Sequence, residues 1–395
     1  MKRVLFVDDE PHVLAGLRRM LRGLRGEWDM TFANGGEEAV TALRSEPFDV
    51  LITDMRMPGV DGVALLTIAR DEHPSVVRIV LSGHTDIDAA VRSVPLAHRF
   101  LSKPCDPATL LETVTKACDL EHRLNSDRLR AILGRVDSLP SAPQSTIALN
   151  QLLGSDEVSI ESVADVVVDD AAMTAKLLQL VNSAFFGLAR PVTSVRDAVA
   201  YLGINVVRNL TAALEAVSLF EHPELTDRAF IESHHAHSQE VATVARALAP
   251  PAVAMEAFGI ALMHDIGALV IARCMPDDLR EIDAAVAVGL HRTAAELHIL
   301  GATHADIGAY LLALWGLPYV IVESIAAHHR QPALDAADAV HATFLAEALV
   351  QEADRARGTW PEDASSIDEN YVSALGLEEA VARVRARLGT MAGAR

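Results

Sequence analysis

The sequence predicts an α/β domain built on a parallel sheet, followed by an all-α domain. Two patterns carry this expectation. Over residues 1–105, short apolar runs alternate with amphipathic stretches, the βα alternation that places helices on both faces of a parallel sheet. From Leu139 onward no strand pattern is evident, and apolar residues recur at 3.6-residue spacing. A chain of 395 residues, half of them apolar, is long enough for two or three ordinary domains with sizeable cores. Aromatics make up only 4%, so those cores must be built from Ala, Val, Leu and Ile, and the Ala and Leu favour helix.

In the first domain, Val4–Val7, Met30–Ala33, Val50–Thr53, Ile79–Ser82 and Phe100–Ser102 read as buried strands. His12–Leu24, Glu37–Ser45, Val60–Glu72 and Asp86–Val94 read as the helices between them. Residues 107–133 read as one long helix leaving the domain. Its partial heptad stripe of Leu110, Val114, Ala117 and Leu124 is interrupted by Glu121 and Arg128. That leaves open either a coiled-coil homodimer or an amphipathic last helix running into a linker. In the second domain the helical spacing covers Val163–Val168, Ala171–Phe185, Ala198–Phe220, Gln239–Leu248, Ala252–Cys274, Ile307–Trp315, Val320–His328 and Val340–Ala353, some ten helices in all. The polar segment Gly358–Asn370 reads as a loop. The expected boundaries are 1–120, a helical linker 121–134, a helical domain 135–350 and a helical extension 351–395.

In a parallel sheet, the loops at the carboxyl ends of the strands build the site. Asp8-Asp9-Glu10, Asp54, Ser82 and Lys103 all fall there. Crowded carboxylates repel one another, and a Mg²⁺ ion relieves that repulsion with the oxygen ligands it prefers. A carboxylate so placed can attack a phosphoryl group to give an acyl phosphate. Lys103 supplies a cation and Ser82 a hydroxyl for the phosphoryl oxygens.

The strings VLFVDDEP, DVLITDMRMPGVDG, RIVLSGHTD and FLSKP, in this order, resemble the receiver domain of bacterial two-component response regulators. The resemblance implies a flavodoxin-like fold of five parallel strands in the order 2-1-3-4-5. It implies that Asp54 is phosphorylated, that Asp9 is the main Mg²⁺ ligand with Asp8 beside it, and that the backbone carbonyl of Arg56 completes the protein ligands. It further implies that Ser82 is the switch hydroxyl, Phe100 the switch aromatic and Lys103 the phosphoryl-binding lysine, followed by Pro104, typically after a cis bond. Arg56 and His84 lie where such domains border the phosphoryl group.

In the second half, the run Asp169–Gly187 has a helix start in its acids and a helix end in Asn182-Ser183 and Gly187. Its order resembles the HDOD domain, a helical module related to the HD-type metal-dependent phosphohydrolases. The likeness extends to Leu139–Pro143, Val195–Gly203, Leu262–Gly267, His304, Gly308–Pro318 and His328-His329. HD hydrolases hold metal through a His, a His-Asp pair and further His and Asp residues. Here His237, His264, Asp265, His304, His328 and His329 follow that order, as a candidate vestigial site for a transition metal. Three departures count against hydrolysis. Ala268 stands where the enzymes that cleave cyclic dinucleotides carry Lys. Arg330-Gln331-Pro332-Ala333 replaces their Gly-Tyr-Pro element. The last metal-binding Asp is missing from the helix Asp338–Ala348, where Phe344 is near its place and Glu347 a turn away. His234, His235, His291 and His298 match no motif and are expected at the surface.

The resemblance therefore implies a phosphorylation-controlled interaction protein, with no enzyme activity beyond self-phosphorylation and autodephosphorylation of the receiver. The alternative is a receiver-controlled metal-dependent phosphohydrolase acting on a nucleotide or cyclic dinucleotide. The implied partners are a cognate histidine kinase or phosphotransfer protein and a protein bound by the HDOD domain. A net charge of −20 argues against a broad nucleic-acid surface. Cys105, Cys118 and Cys274 lack CxxC spacing, which with the absence of a signal-like start or a charge-free apolar span gives the expectation of a reducing, cytoplasmic setting and no membrane.

Overall fold

The structure is a computed structural model that describes residues 1–83, 87–119, 124, 126–136, 139, 143–153, 158–188, 190–218, 228–356 and 367–392. His84 and most of the polar segment from Gly358 lie outside the described residues. In the first domain, the strands are β1 (Lys2–Asp8), β2 (Trp28–Asn34), β3 (Val50–Thr53), β4 (Val77–Gly83) and β5 (Arg99–Lys103). The helices are α1 (Pro11–Met20), α2 (Gly36–Ser45), α3 (Gly62–Glu72), α4 (Ile87–Ser93) and α5 (Pro107–Asp119). All strand pairs are parallel, in the order β2-β1-β3-β4-β5, as the resemblance implied. The central strand β3 is buried at every residue, which is why it reads as an unbroken apolar run.

Register sets the site. Val7 pairs with Thr53, so the strand end at Asp8 lies beside the strand end at Asp54. Ser82 pairs with Ser102, which brings Lys103 level with Gly83. The loop after β3 is held by a close approach: a Cβ on Gly62 would lie 2.4 Å from the Asp54 carbonyl oxygen and 2.7 Å from Met55 Cα, so only glycine fits. Asp61 caps α3, its Oδ1 accepting from the Ala64 N–H at 2.8 Å. The Lys103–Pro104 bond is cis.

The long helix expected over 107–133 is two helices. α5 ends at Asp119, and a second helix, Asp127–Leu133, starts at Ser126, whose hydroxyl accepts from the Leu129 N–H at 3.3 Å. Leu110, Val114 and Ala117 are buried in the chain's own core, so the stripe offers no seam to a second copy.

The second half is all helix, with more and shorter elements than the spacing suggested. The run Ala252–Cys274 divides into Ala254–Leu262 and Ile266–Cys274, and Ala198–Phe220 into parts of Val195–Leu202 and Ile204–Ser218. Helices Pro143–Leu153, Pro276–Ala287 and Arg292–Leu300 were not foreseen, because their apolar faces are short. Residues Ala254–Cys274 taken together are apolar and long enough to cross a membrane, but here they are two mostly buried helices separated by a turn. Helices Ile266–Cys274 and His304–Leu314 touch backbone to backbone: a Cβ on Gly267 would lie 1.9 Å from the His304 carbonyl oxygen. That contact draws His304 against the His264-Asp265 break. The apolar core runs continuously from the sheet into the helices.

Candidate functional sites

At the carboxyl edge of the sheet, Lys103 Nζ lies 2.6 Å from Asp8 Oδ2 and 2.5 Å from Asp54 Oδ1. Burial opposes the lysine's charge, but hydrogen bonds to Asp54 and Asp8 outweigh it and hold the amine above its ordinary pKa. The backbone N–H of Arg56 donates to Asp54 Oδ2 at 2.8 Å, and that of Glu10 donates to Asp8 Oδ1 at 3.0 Å. Asp8 is buried, while Asp9 is half-buried and lines an open cleft of about 530 Å³ with Met55, Arg56, Pro58 and Arg92. Ser82 and Phe100 are both 1% exposed, so the ring already faces the interior. Of the residues expected here, Asp8, Asp54 and Lys103 are in direct contact, Asp9 and Arg56 line the adjoining cleft, Ser82 lies one step before the level of Lys103, and His84 lies outside the described residues.

The second cluster assembles side chains from helix Arg228–Leu248, the His264-Asp265 break, the start of helix His304–Leu314, the end of helix Tyr319–Ala327 and helix Asp338–Ala356. His304 Nε2 lies 2.8 Å from His329 Nε2 and 3.2 Å from His328 Nε2. Asp265 Oδ1 is 3.2 Å from His304 Nε2, and its Oδ2 is 3.8 Å from His264 Nε2. On the outer nitrogens, His264 Nδ1 meets the Ala261 carbonyl at 2.7 Å and His328 Nδ1 the Ile325 carbonyl at 2.6 Å. His304 Nδ1 meets Glu296 Oε2 at 2.7 Å. An Nδ1–H donated outward leaves the Nε2 lone pair facing inward, the tautomer a metal ligand needs.

Two expectations are corrected here. Glu347, set aside as a turn from the missing Asp, is 3% exposed and reaches the cluster: its Oε2 lies 3.1 Å from His237 Nε2 and 3.3 Å from His264 Nε2. The extra methylene of Glu compensates for the displaced backbone position. His234, expected at the surface, is largely buried with Nε2 2.9 Å from Asp265 Oδ2. It sits three residues before His237, one helical turn away, which is the signal that could have found it. His235 is also partly buried, and its Nε2 is shut off from solvent without a hydrogen bond. His291 is half-buried against Thr293, and His298 is exposed as expected.

The electrostatics follow from crowding. Burial opposes the charge of Asp265, but His234, His264 and His304 hold its pKa well below the carboxylate range. Glu347 is likewise held low, against burial, by His237 and His264. Burial and then its neighbour His304 push His329 down to about 4. Against burial, Glu347 raises His237 to about 9. Two sets of donor atoms, His237-His264-Asp265 and His304-His328-His329, each lie within 4.8 Å of one another.

Comparisons with known proteins agree with this layout. The response regulator receiver domain family matches residues 4–115, and the HDOD domain family matches residues 139–331. The chain carries a response regulator receiver domain and an HDOD domain. An uncharacterized protein of Treponema pallidum (strain Nichols) is 26% identical over 223 residues, 54% of this chain and 42% of that one. The DNA-binding transcriptional regulator NtrC of Salmonella typhimurium is 40% identical over 115 residues, 29% of this chain and 24% of that one. The chain thus spans less than half the length of these curated relatives. Among solved structures, the MmoQ response regulator of Methylococcus capsulatus is 25% identical with a TM-score of 0.48, covering 63% of this chain and 98% of that one.

Proposed function

We propose that Asp54 accepts a phosphoryl group from a histidine kinase or phosphotransfer protein and so switches the HDOD domain, which acts on other proteins by docking. The supporting observation is the Lys103 ammonium seated between Asp8 and Asp54, a fixed cation where phosphoryl charge arrives. An Asp54 carboxylate oxygen attacks phosphorus, the P–N bond to the donor histidine breaks, and an acyl phosphate forms. The carboxylates of Asp8, Asp9 and Asp54 with the Arg56 carbonyl are an all-oxygen set suited to Mg²⁺, which when bound offsets the charge of the transferring group. Ser82 and Phe100 then answer the phosphoryl group. In this reading the receiver is residues 1–120, the linker 121–134, the HDOD domain 135–350 and the extension 351–395, with helix Asp338–Ala356 carrying the chain across the last boundary.

Incubation with acetyl phosphate and Mg²⁺ tests this. The intact protein should gain the mass of one phosphoryl group, reversed by hydroxylamine, and the D54N variant should not. An equal gain in D54N overturns the assignment.

A second reading concerns the HDOD domain: we infer that it binds transition metal. The fit rests on His264 Nε2, fully buried yet lacking a well-aligned hydrogen bond, and on Nε2 atoms that face one another at 2.8 and 3.2 Å. Lone pairs this close repel unless a proton or cation lies between them. His237, His264, Asp265 and Glu347 would serve one ion and His304, His328 and His329, with Asp265, another. A bound ion there could act as a Lewis acid or anchor an anionic ligand. Docking remains the favoured output, because Ala268 and Arg330–Ala333 still depart from the hydrolase pattern. Metal content after purification without chelators, and a cyclic-dinucleotide hydrolysis assay, separate the two outputs. Turnover lost in H264A and D265A would replace docking with hydrolysis.

A further inference from the structure

One helix meets both the receiver and the border of the histidine cluster. Helix Ala171–Val181 is capped by Asp170, whose Oδ1 accepts from the Met173 N–H at 2.9 Å. Its first turn, with Asp170, Ala171 and Ala172, walls a cavity of about 30 Å³ whose other side includes His234, His235 and Ser238. His234 Nε2 lies 2.9 Å from Asp265 Oδ2, so the cavity borders the histidine cluster. At about 30 Å³ it holds roughly one water and admits nothing larger.

The same helix grips the receiver one to two turns later. Lys176, 2% exposed, points Nζ at the Val94 carbonyl at 3.4 Å and lies 3.6 Å from the centre of the Trp315 ring. Gln179, 1% exposed, donates from Nε2 to the carbonyls of Ala97 at 3.1 Å and His98 at 3.2 Å. From the receiver side, Arg99 donates from Nη2 to the Ala313 carbonyl at 2.7 Å. The receiver carbonyls held here, of Val94, Ala97 and His98, lie in the short segment between α4 and β5, and Arg99 opens β5 just before the buried ring of Phe100. Burying a lysine and a glutamine on backbone carbonyls costs desolvation, and apolar side chains would fill the same space without it. The arrangement therefore provides direction: these donors track where the carbonyls of residues 94–98 go.

We propose that helix Ala171–Val181 is a latch that the receiver controls, closing the cavity beside the histidine cluster while Lys176 and Gln179 hold the α4–β5 segment, and opening it when phosphorylation of Asp54 moves that segment. The latch regulates the metal site inferred above and rests on that reading. An eleven-residue helix is roughly 16 Å of rigid rod, so a shift at its gripped end moves its first turn as well. The narrow cavity and the intact grip belong together in the unphosphorylated chain.

The test uses full-length protein loaded with Zn²⁺ alone and measures the rate of Zn²⁺ removal by EDTA, with and without beryllofluoride as a stable phosphoryl mimic. Wild-type should lose metal about fivefold faster or more with beryllofluoride, and D54N should not respond. Lys176→Met with Gln179→Leu should lose metal fast in both states, and Gln179→Leu alone should lie between. Equal wild-type rates in the two states overturn the latch. If the protein retains no metal, the metal reading fails, and hydrogen exchange over residues 170–179 decides the latch separately. Faster exchange with beryllofluoride in wild-type but not in D54N supports it, and unchanged exchange overturns it.

Discussion

The sheet-edge site and the histidine cluster solve the same problem, crowded ionisable groups, in different ways. At the sheet edge, two carboxylates share one lysine at 2.6 and 2.5 Å, and the site opens into a cleft. In the helical half, imidazoles and carboxylates are packed out of solvent, and a buried nitrogen is left without an aligned partner. The first arrangement stays net negative, since the single charge of Lys103 offsets only one of the carboxylates of Asp8, Asp9 and Asp54. In the second, His328 and His329 are driven neutral and each turns its Nε2 toward His304, which, against burial, Glu296 and Asp265 raise to about 9. A site built to receive charge from outside keeps an open face. The buried packing of the histidine cluster is what the proposed metal binding calls for.

The sharpest way to break the comparison is at the backbone contact that closes the second cluster. Gly267→Val should destabilise the helical half by about 3 kcal/mol or more, seen as a lower-temperature melting transition, because a side chain there collides with the His304 carbonyl. Lys103→Met should slow phosphoryl uptake from acetyl phosphate by about 10²-fold, by removing the fixed cation, and should leave metal content of the helical half unchanged. Glu347→Gln should do the reverse: metal affinity falls by about 10-fold to 100-fold, measured by competition with a chromogenic chelator, while phosphoryl uptake stays the same. In unphosphorylated protein, where the latch is held, a loss of metal content in Lys103→Met would mean that the receiver site supports the metal site directly and not only through the latch.

The smallest effect concerns the seam between the halves. Burial, then the charges of Arg78 and Lys176, hold buried His98 well below its ordinary pKa of 6.5, so it is neutral when folded. Its Nδ1 accepts from the Arg78 backbone N–H at 3.0 Å, which also requires the neutral form. A histidine depressed on folding contributes stability that is fully present above its unfolded pKa and is lost as pH falls below about 6.5. The melting temperature should therefore drop as pH goes from 7.5 to 5.5, and His98→Asn, which keeps an acceptor, should flatten that dependence.

The sheet-edge site was legible because a parallel sheet delivers its strand ends to one edge, so residues just after buried runs must meet. Asp8, Asp54, Ser82 and Lys103 could be named from that rule and their surrounding strings. The helical cluster was legible only where a string resembled a known one. His237, His264, Asp265, His304, His328 and His329 were named in that way, whereas Glu347 was discounted by position and His234 was missed. Helix breaks were also hidden: an apolar run such as Ala252–Cys274 has one periodicity whether or not it bends at His264.

The sequence by itself determined the order of strands and helices, the parallel sheet and the identity of the groups at its edge, since burial on both faces demands apolar runs and the chain direction orders their ends. Only the tertiary structure decided that Glu347 reaches the histidines, that Gly267 lets two helices touch, and that Lys176 and Gln179 face the receiver. Those outcomes depend on ångström-scale approach between segments far apart in the chain. Local spacing carries no record of that distance.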